Sequence, residues 1–158
     1  MPTISSTADL SLISPAFSDK GPIPEQYTCR GQNISPPLAI PNMPAGTKSL
    51  ALIMHDPDAV NTDWVHWLVW NISPSTTEIT ENSVPEGTIQ GTTSFGKPGY
   101  GGPCPPKGTG THGYMFELYA LDITLDLPSS ATRQQLQQTI DGHIVAQTTL
   151  TGLVAAEQ

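Results

Sequence analysis

Positive charge is scarce in this chain: six Lys and Arg stand against fourteen Asp and Glu, a formal net charge of -8. No Lys/Arg run is present to follow a phosphate backbone, which argues against a nucleic-acid binder. Long hydrophobic runs are missing too, and none approaches the roughly 20 residues that span a bilayer. The opening MPTISSTADLSLISPAF lacks the basic and apolar stretches of a secretory leader, so a cytoplasmic protein without a membrane span is expected. There are only two cysteines, Cys29 and Cys104, outside any CxxC spacing. A cytosolic setting is expected to keep both thiols reduced. Catalytic signatures are equally sparse. There is no GxSxG, no HxxxH or HExxH, and no GxGxxG leading into a helix. Cys104 lies between two prolines with no basic residue immediately beside it to lower its pKa. Neither a metal nor a cofactor is expected, and the chain does not read as an enzyme.

What is abundant is proline and glycine, 16 and 14 residues, spread between short apolar runs. With many Ser and Thr, this suits a mainly all-β fold with many turns. Lys48–His55 reads as a strand buried on both faces. Trp64–Ile72 reads as a second strand, with alternation placing Trp64, His66, Leu68 and Trp70 on one face. Gly113–Ile123 is a third and Thr148–Val154 a last. Ser35–Ile40 and Thr88–Phe95 are weaker, and Ser73–Pro85 is a polar connection with room for a short strand. Only one segment looks helical: Ser129 or Ser130 can cap it, and Leu136, Ile140 and Ile144 recur at i+4 spacing. No linker divides the chain, so residues 1–158 read as one domain. The expected architecture is an antiparallel β-sandwich with a small helical element near the C-terminus.

Titratable groups gather at strand boundaries. Asp56 and Asp58 follow the first strand, His66 lies inside the second, and His112 and Tyr114 open the third. A long Gly/Pro loop, GKPGYGGPCPPKGTGT, leads into that third strand. If these strands are neighbours, their ends share a pocket with the loop as its rim. An imidazole among Trp64, Trp67 and Trp70 needs a hydrogen-bond partner. Asp56, His66 and His112 lack short metal-ligand spacing. A carboxylate, two imidazoles and a phenol can instead hold an anion, aided by backbone N–H groups of the loop.

Several motifs together resemble the phosphatidylethanolamine-binding protein family, in its bacterial and archaeal Raf-kinase-inhibitor-like branch. They are Asp56-Pro57-Asp58-Ala59, Trp64-Val65-His66-Trp67 with Asn71, and Gly99-Tyr100-Gly101-Gly102-Pro103-Cys104-Pro105-Pro106 running on through His112 and Tyr114. Asn33-Ile34-Ser35-Pro36, Pro44-Ala45-Gly46-Thr47 and Leu150-Thr151-Gly152 also fit. The resemblance implies a β-sandwich with an anion pocket formed by Asp56, His66, Cys104, Pro106, His112 and Tyr114, with Asp58 supporting the turn. It implies a non-enzymatic binder of phosphoryl groups or phospholipid headgroups, with a protein kinase as a further partner. Inhibition of a serine protease through residues 73–86 is the alternative, and a hydrolase using the His/Asp pocket ranks below both. A homodimer is also implied. The chain departs from the family pattern twice: Val60 stands where relatives carry proline, and Gly113 stands where they carry arginine.

Overall fold

The computed structural model describes residues 9–158. Its strands are β1 (Gly21–Pro22), β2 (Leu38–Ala39), β3 (Ser49–Asp56), β4 (Trp64–Ile72), β5 (Glu78–Ile79), β6 (Ile89–Gln90), β7 (Thr111–Leu121) and β8 (Ile144–Ala155). One α-helix, α1 (Arg133–Ile140), precedes β8. Six strands form a sheet in the order β1-β8-β7-β3-β4-β6, and β2 and β5 form a second, two-stranded sheet. The long strands pair antiparallel, as expected; the β1–β8 pair at one edge is parallel.

Strand β3 is central and buried along its whole length, which explains its near-continuous apolar sequence. Its alternate residues feed two cores. Leu50, Leu52 and Met54 pack with Trp67, Tyr114, Phe116 and, from the small sheet, Leu38 and Ile79. Ala51 and Ile53 pack with Leu68, Trp70, Leu121 and, from α1, Leu136 and Ile140. The large sheet is thus covered by the small sheet on one face and by the helix on the other.

Several element boundaries differ from the sequence reading. The helix is capped by Thr132, in a capping box with Gln135, rather than by Ser129 or Ser130. It ends at Ile140, because Asp141 leaves the helical conformation and Gly142 takes φ +85°. Ile144 therefore belongs to β8, which starts four residues earlier than Thr148. The segment Thr88–Phe95 is strand only at Ile89–Gln90. Beyond it Gly91 packs on the Trp70 ring, and Thr93 caps a turn by donating its hydroxyl to the Lys97 carbonyl.

The alternation of β4 is broken. Met54 pairs with Trp67 and His55 with Val65, so His66 is an extra residue opposite a single step of β3. This is a β-bulge, which re-aims one side chain. His66 is thereby separated from Leu68 and Trp70 and lies edge-on to the Tyr114 ring, at 5.2 Å between centroids.

The cysteines are also corrected. Cys29 and Cys104 form a disulfide with Cα atoms 5.4 Å apart. Spacing along the chain hides this, because the Gly/Pro loop folds back on residues 28–33. Cys29 donates its N–H to the Pro103 carbonyl, and Gly102 donates to Asn33 Oδ1.

Candidate functional site

A pocket of about 360 Å³ opens where the C-terminal end of β3 meets the bulge of β4, the start of β7 and the Gly/Pro loop. Asp56, His66, Cys104, Pro106 and Tyr114 line it, together with Val60, Trp64, Phe95 and others. Five of the six expected pocket residues therefore reach it directly. His112 does not line it, and sits one layer behind Asp56.

Asp56 ends β3 and is 3% exposed. Its Oδ1 accepts the Asp58 N–H at 2.8 Å, fixing the turn that follows. Its Oδ2 lies 2.7 Å from His112 Nδ1, which donates because the carboxylate offers only acceptors. On the other side of His112, Nε2 lies 2.8 Å from the Thr109 hydroxyl, which in turn reaches the Pro106 carbonyl at 2.6 Å. A hydrogen-bonded chain thus runs from the floor of the pocket to its loop wall. Asp58 faces outward and accepts the Gly113 N–H at 2.9 Å, joining the turn to β7.

His66 is buried, and its Nδ1 lies 2.6 Å from the Gly101 carbonyl. A carbonyl only accepts, so Nδ1 carries the proton. Nε2 makes no hydrogen bond among the described residues, and the ring forms part of the pocket lining. Burial holds the His66 pKa below its ordinary value, against the pull of the Gly101 carbonyl and the Asp56 charge. At neutral pH the pocket therefore sees an imidazole lone pair. Tyr114 is held in the opposite sense. Burial first, then the Asp56 carboxylate, push its phenol well above the usual range, so it stays an O–H donor. The Arg30 guanidinium and the Cys104 N–H oppose that shift.

The walls are apolar. The Phe95 ring meets Trp64 edge-on at 5.6 Å and His66 at 5.5 Å. Phe95 and Val60 are among the most exposed large apolar residues, at 44% and 55%. Sequence reasoning missed Trp64 and Phe95 as pocket residues, because aromatic rings near strands read as core. Among the described residues, no Lys or Arg lines the pocket. Gly113 has room for a larger side chain, while Val60 leaves an apolar, solvent-facing rim.

The fold and this pocket define a β-sandwich protein with a small polar-floored cavity at one end of the large sheet. The sequence model of the phosphatidylethanolamine-binding protein family matches residues 13–155, and the chain belongs to that family. A UPF0098 protein of Methanothermobacter thermautotrophicus is 45% identical over 149 residues, covering 91% of this chain and 97% of that protein. A protein named as lipoprotein LppC, from Mycobacterium tuberculosis, is 45% identical over 143 residues, covering 90% of this chain and 71% of that one. The crystal structure of a phosphatidylethanolamine-binding protein homologue from Chlamydia trachomatis has a TM-score of 0.87 and 40% identity, covering 94% of this chain and 97% of that one.

Proposed function

We propose that this chain is a non-enzymatic binding protein whose pocket takes a small phosphoryl group, carried on a zwitterionic compound such as a phospholipid headgroup. The observation that carries the reading is that the free Nε2 of His66, the Tyr114 phenol and the Asp56 carboxylate belong to one pocket, with the two rings edge-on at 5.2 Å. The phenol donates to a phosphoryl oxygen. His66 Nε2 accepts from a protonated phosphoryl oxygen, or donates once the ring is charged. Asp56 disfavours a bare dianion, since no Lys or Arg in the lining offsets it. A ligand that also carries an ammonium answers that carboxylate, and the faces of Trp64 and Phe95 favour the same cation. The family's name points to such a headgroup. The absence of catalysis is supported by the state of the polar groups: the Cys104 sulfur is in a disulfide and both His112 nitrogens face protein partners.

Calorimetric titration with O-phosphoethanolamine, inorganic phosphate and ethanolamine tests the reading. O-phosphoethanolamine is expected to bind the most tightly of the three. Tyr114→Phe and His66→Ala each remove one hydrogen bond to a charged group, a loss of about 1.5–3 kcal/mol, or roughly 10- to 100-fold in Kd. Equal binding by wild type and both variants overturns the assignment of the pocket. Turnover of a phosphoester that is abolished in His66→Ala would replace it with the hydrolase reading.

A further inference from the structure

The disulfide occupies an unusual position for a structural staple. Cys104 is itself part of the pocket wall, followed by Pro105 and Pro106, which line it too. Both Cys29 and Cys104 are solvent-exposed. A buried disulfide is out of reach of a reductant, whereas an exposed one is open to thiolate attack. The bond ties the wall to residues 28–33, a segment 75 residues away in sequence.

The other ties of this wall are few. Pro105 and Pro106 have no N–H to donate. Pro106 holds Thr109 through its carbonyl, and Gly108 donates to the Glu157 carbonyl at 2.7 Å. On the side facing residues 28–33, hydrogen bonds hold Gly102 and Pro103, and beyond them the disulfide is the connection. The same outer segment carries Arg30, the cation that acts on Tyr114. Opening the bond therefore removes the covalent tie between the wall and residues 28–33, leaving the Arg30–Glu157 pair and the Gly108–Glu157 bond as the remaining links on that side.

We propose that the Cys29–Cys104 disulfide is a redox gate on the pocket: oxidised, it holds the wall in the binding geometry, and reduced by a dithiol, it releases the wall and weakens the site. The reductant is a vicinal dithiol of the thioredoxin or dithiothreitol class. Its thiolate attacks one cysteine sulfur, the S–S bond breaks and a mixed disulfide forms. The second thiol of the reductant then displaces the remaining cysteine. Two electrons pass to the protein, the reductant leaves as a disulfide, and both cysteines end as thiols.

The regulatory effect on ligand rests on the pocket reading above, while the release of the wall does not, and the test separates them. Wild-type protein is compared oxidised, reduced with dithiothreitol, and reoxidised, alongside Cys29→Ser/Cys104→Ser. Amide exchange of Cys104, Lys107, Gly108 and Thr109 and the ring signals of His66 and Tyr114 report the wall. O-phosphoethanolamine titration reports the ligand. Reduction is expected to speed exchange in the wall by about tenfold or more while β3 and β7 stay protected, and to weaken binding by at least about fivefold. Reoxidation restores both, and the double serine variant behaves as the reduced form. Unchanged wall exchange and ring signals after complete reduction overturn the gate, whatever the ligand does. A wall that loosens in a protein that binds no O-phosphoethanolamine in either state upholds the release of the wall and overturns the phosphoryl reading. A wall that loosens with binding unchanged overturns the gating of the ligand.

Discussion

Position 113 shows how one residue sets the character of this pocket. Gly113 sits inside β7 without a left-handed backbone angle, so nothing in its conformation requires glycine. A Cβ built there meets Thr151 Cγ2 at 3.5 Å, Asp58 Oδ2 at 3.6 Å and Leu153 Cδ2 at 3.7 Å, all ordinary contacts. Arginine at this site is therefore accommodated, with Asp58 at hand to hold its guanidinium. Gly113→Arg is expected to raise stability by about 0.5–1 kcal/mol through the strand backbone alone. It is also expected to tighten binding of inorganic phosphate more than that of O-phosphoethanolamine, because the added charge offsets Asp56. A denaturant midpoint and the two titrations check both parts; a lowered midpoint would show that the site does not admit the side chain. Gly152 is a contrasting case. A Cβ there runs into Ile23 and Phe17, so that glycine is held by packing. Both glycines look alike in sequence, and only the neighbours across the sheet distinguish them.

At the scale of elements, the long strands were legible because their burial is dictated by hydrophobic pattern. The bulge in β4 was not. Strict alternation puts His66 with Leu68, yet the extra residue turns it toward Tyr114, and no local signal marks that step. The expected meeting of the strand ends depended on topology: β4, β3 and β7 are neighbours in the sheet, which places Asp56 between the other two. The opposite face of the same end holds a second polar cluster that sequence reading passed over. His55 is buried with Nδ1 2.8 Å from Asp63 Oδ1 and Nε2 3.0 Å from Glu117 Oε2. Arg133 of α1 joins Asp63 at 3.1 Å, and the Tyr119 hydroxyl donates to Glu117. Burial opposes charge on His55, but the bonds to Glu117 and Asp63 outweigh it and raise the pKa. The bond to His55 is also the main reason that Glu117 is lowered. The raised histidine stabilises the fold fully below its unfolded value of 6.5, and that share is lost as pH rises through its folded pKa. The lowered glutamate stabilises fully above 4.5, and that share is lost as pH falls through its folded pKa. Urea midpoints across pH are expected to show a plateau between these limits, and His55→Gln is expected to flatten the high-pH fall. An unchanged high-pH fall in that variant would remove His55 as its source.

For the whole molecule, the sequence carried the family through motifs spread from Asn33 to Gly152, and with it the sandwich. It did not carry the covalent state of the cysteines, because the compartment argument and the folded geometry point opposite ways. A cytoplasmic setting favours the open dithiol, and an oxidising one favours the closed pocket; the redox gate gives each setting a defined state of the same protein. The molecule is strongly acidic, yet Arg30, Lys97 and Lys107, half of its six cations, lie on the two segments that bound the site. The central claim is that a phosphoryl group enters between His66 and Tyr114. The most direct test is NMR of the oxidised protein with both rings labelled, during titration with O-phosphoethanolamine and across pH. The account predicts that His66 Nε2 and the Tyr114 ring shift together and saturably, and that ligand raises the depressed pKa of His66. The result that contradicts it is a saturating titration in which neither ring responds, or no response at millimolar ligand.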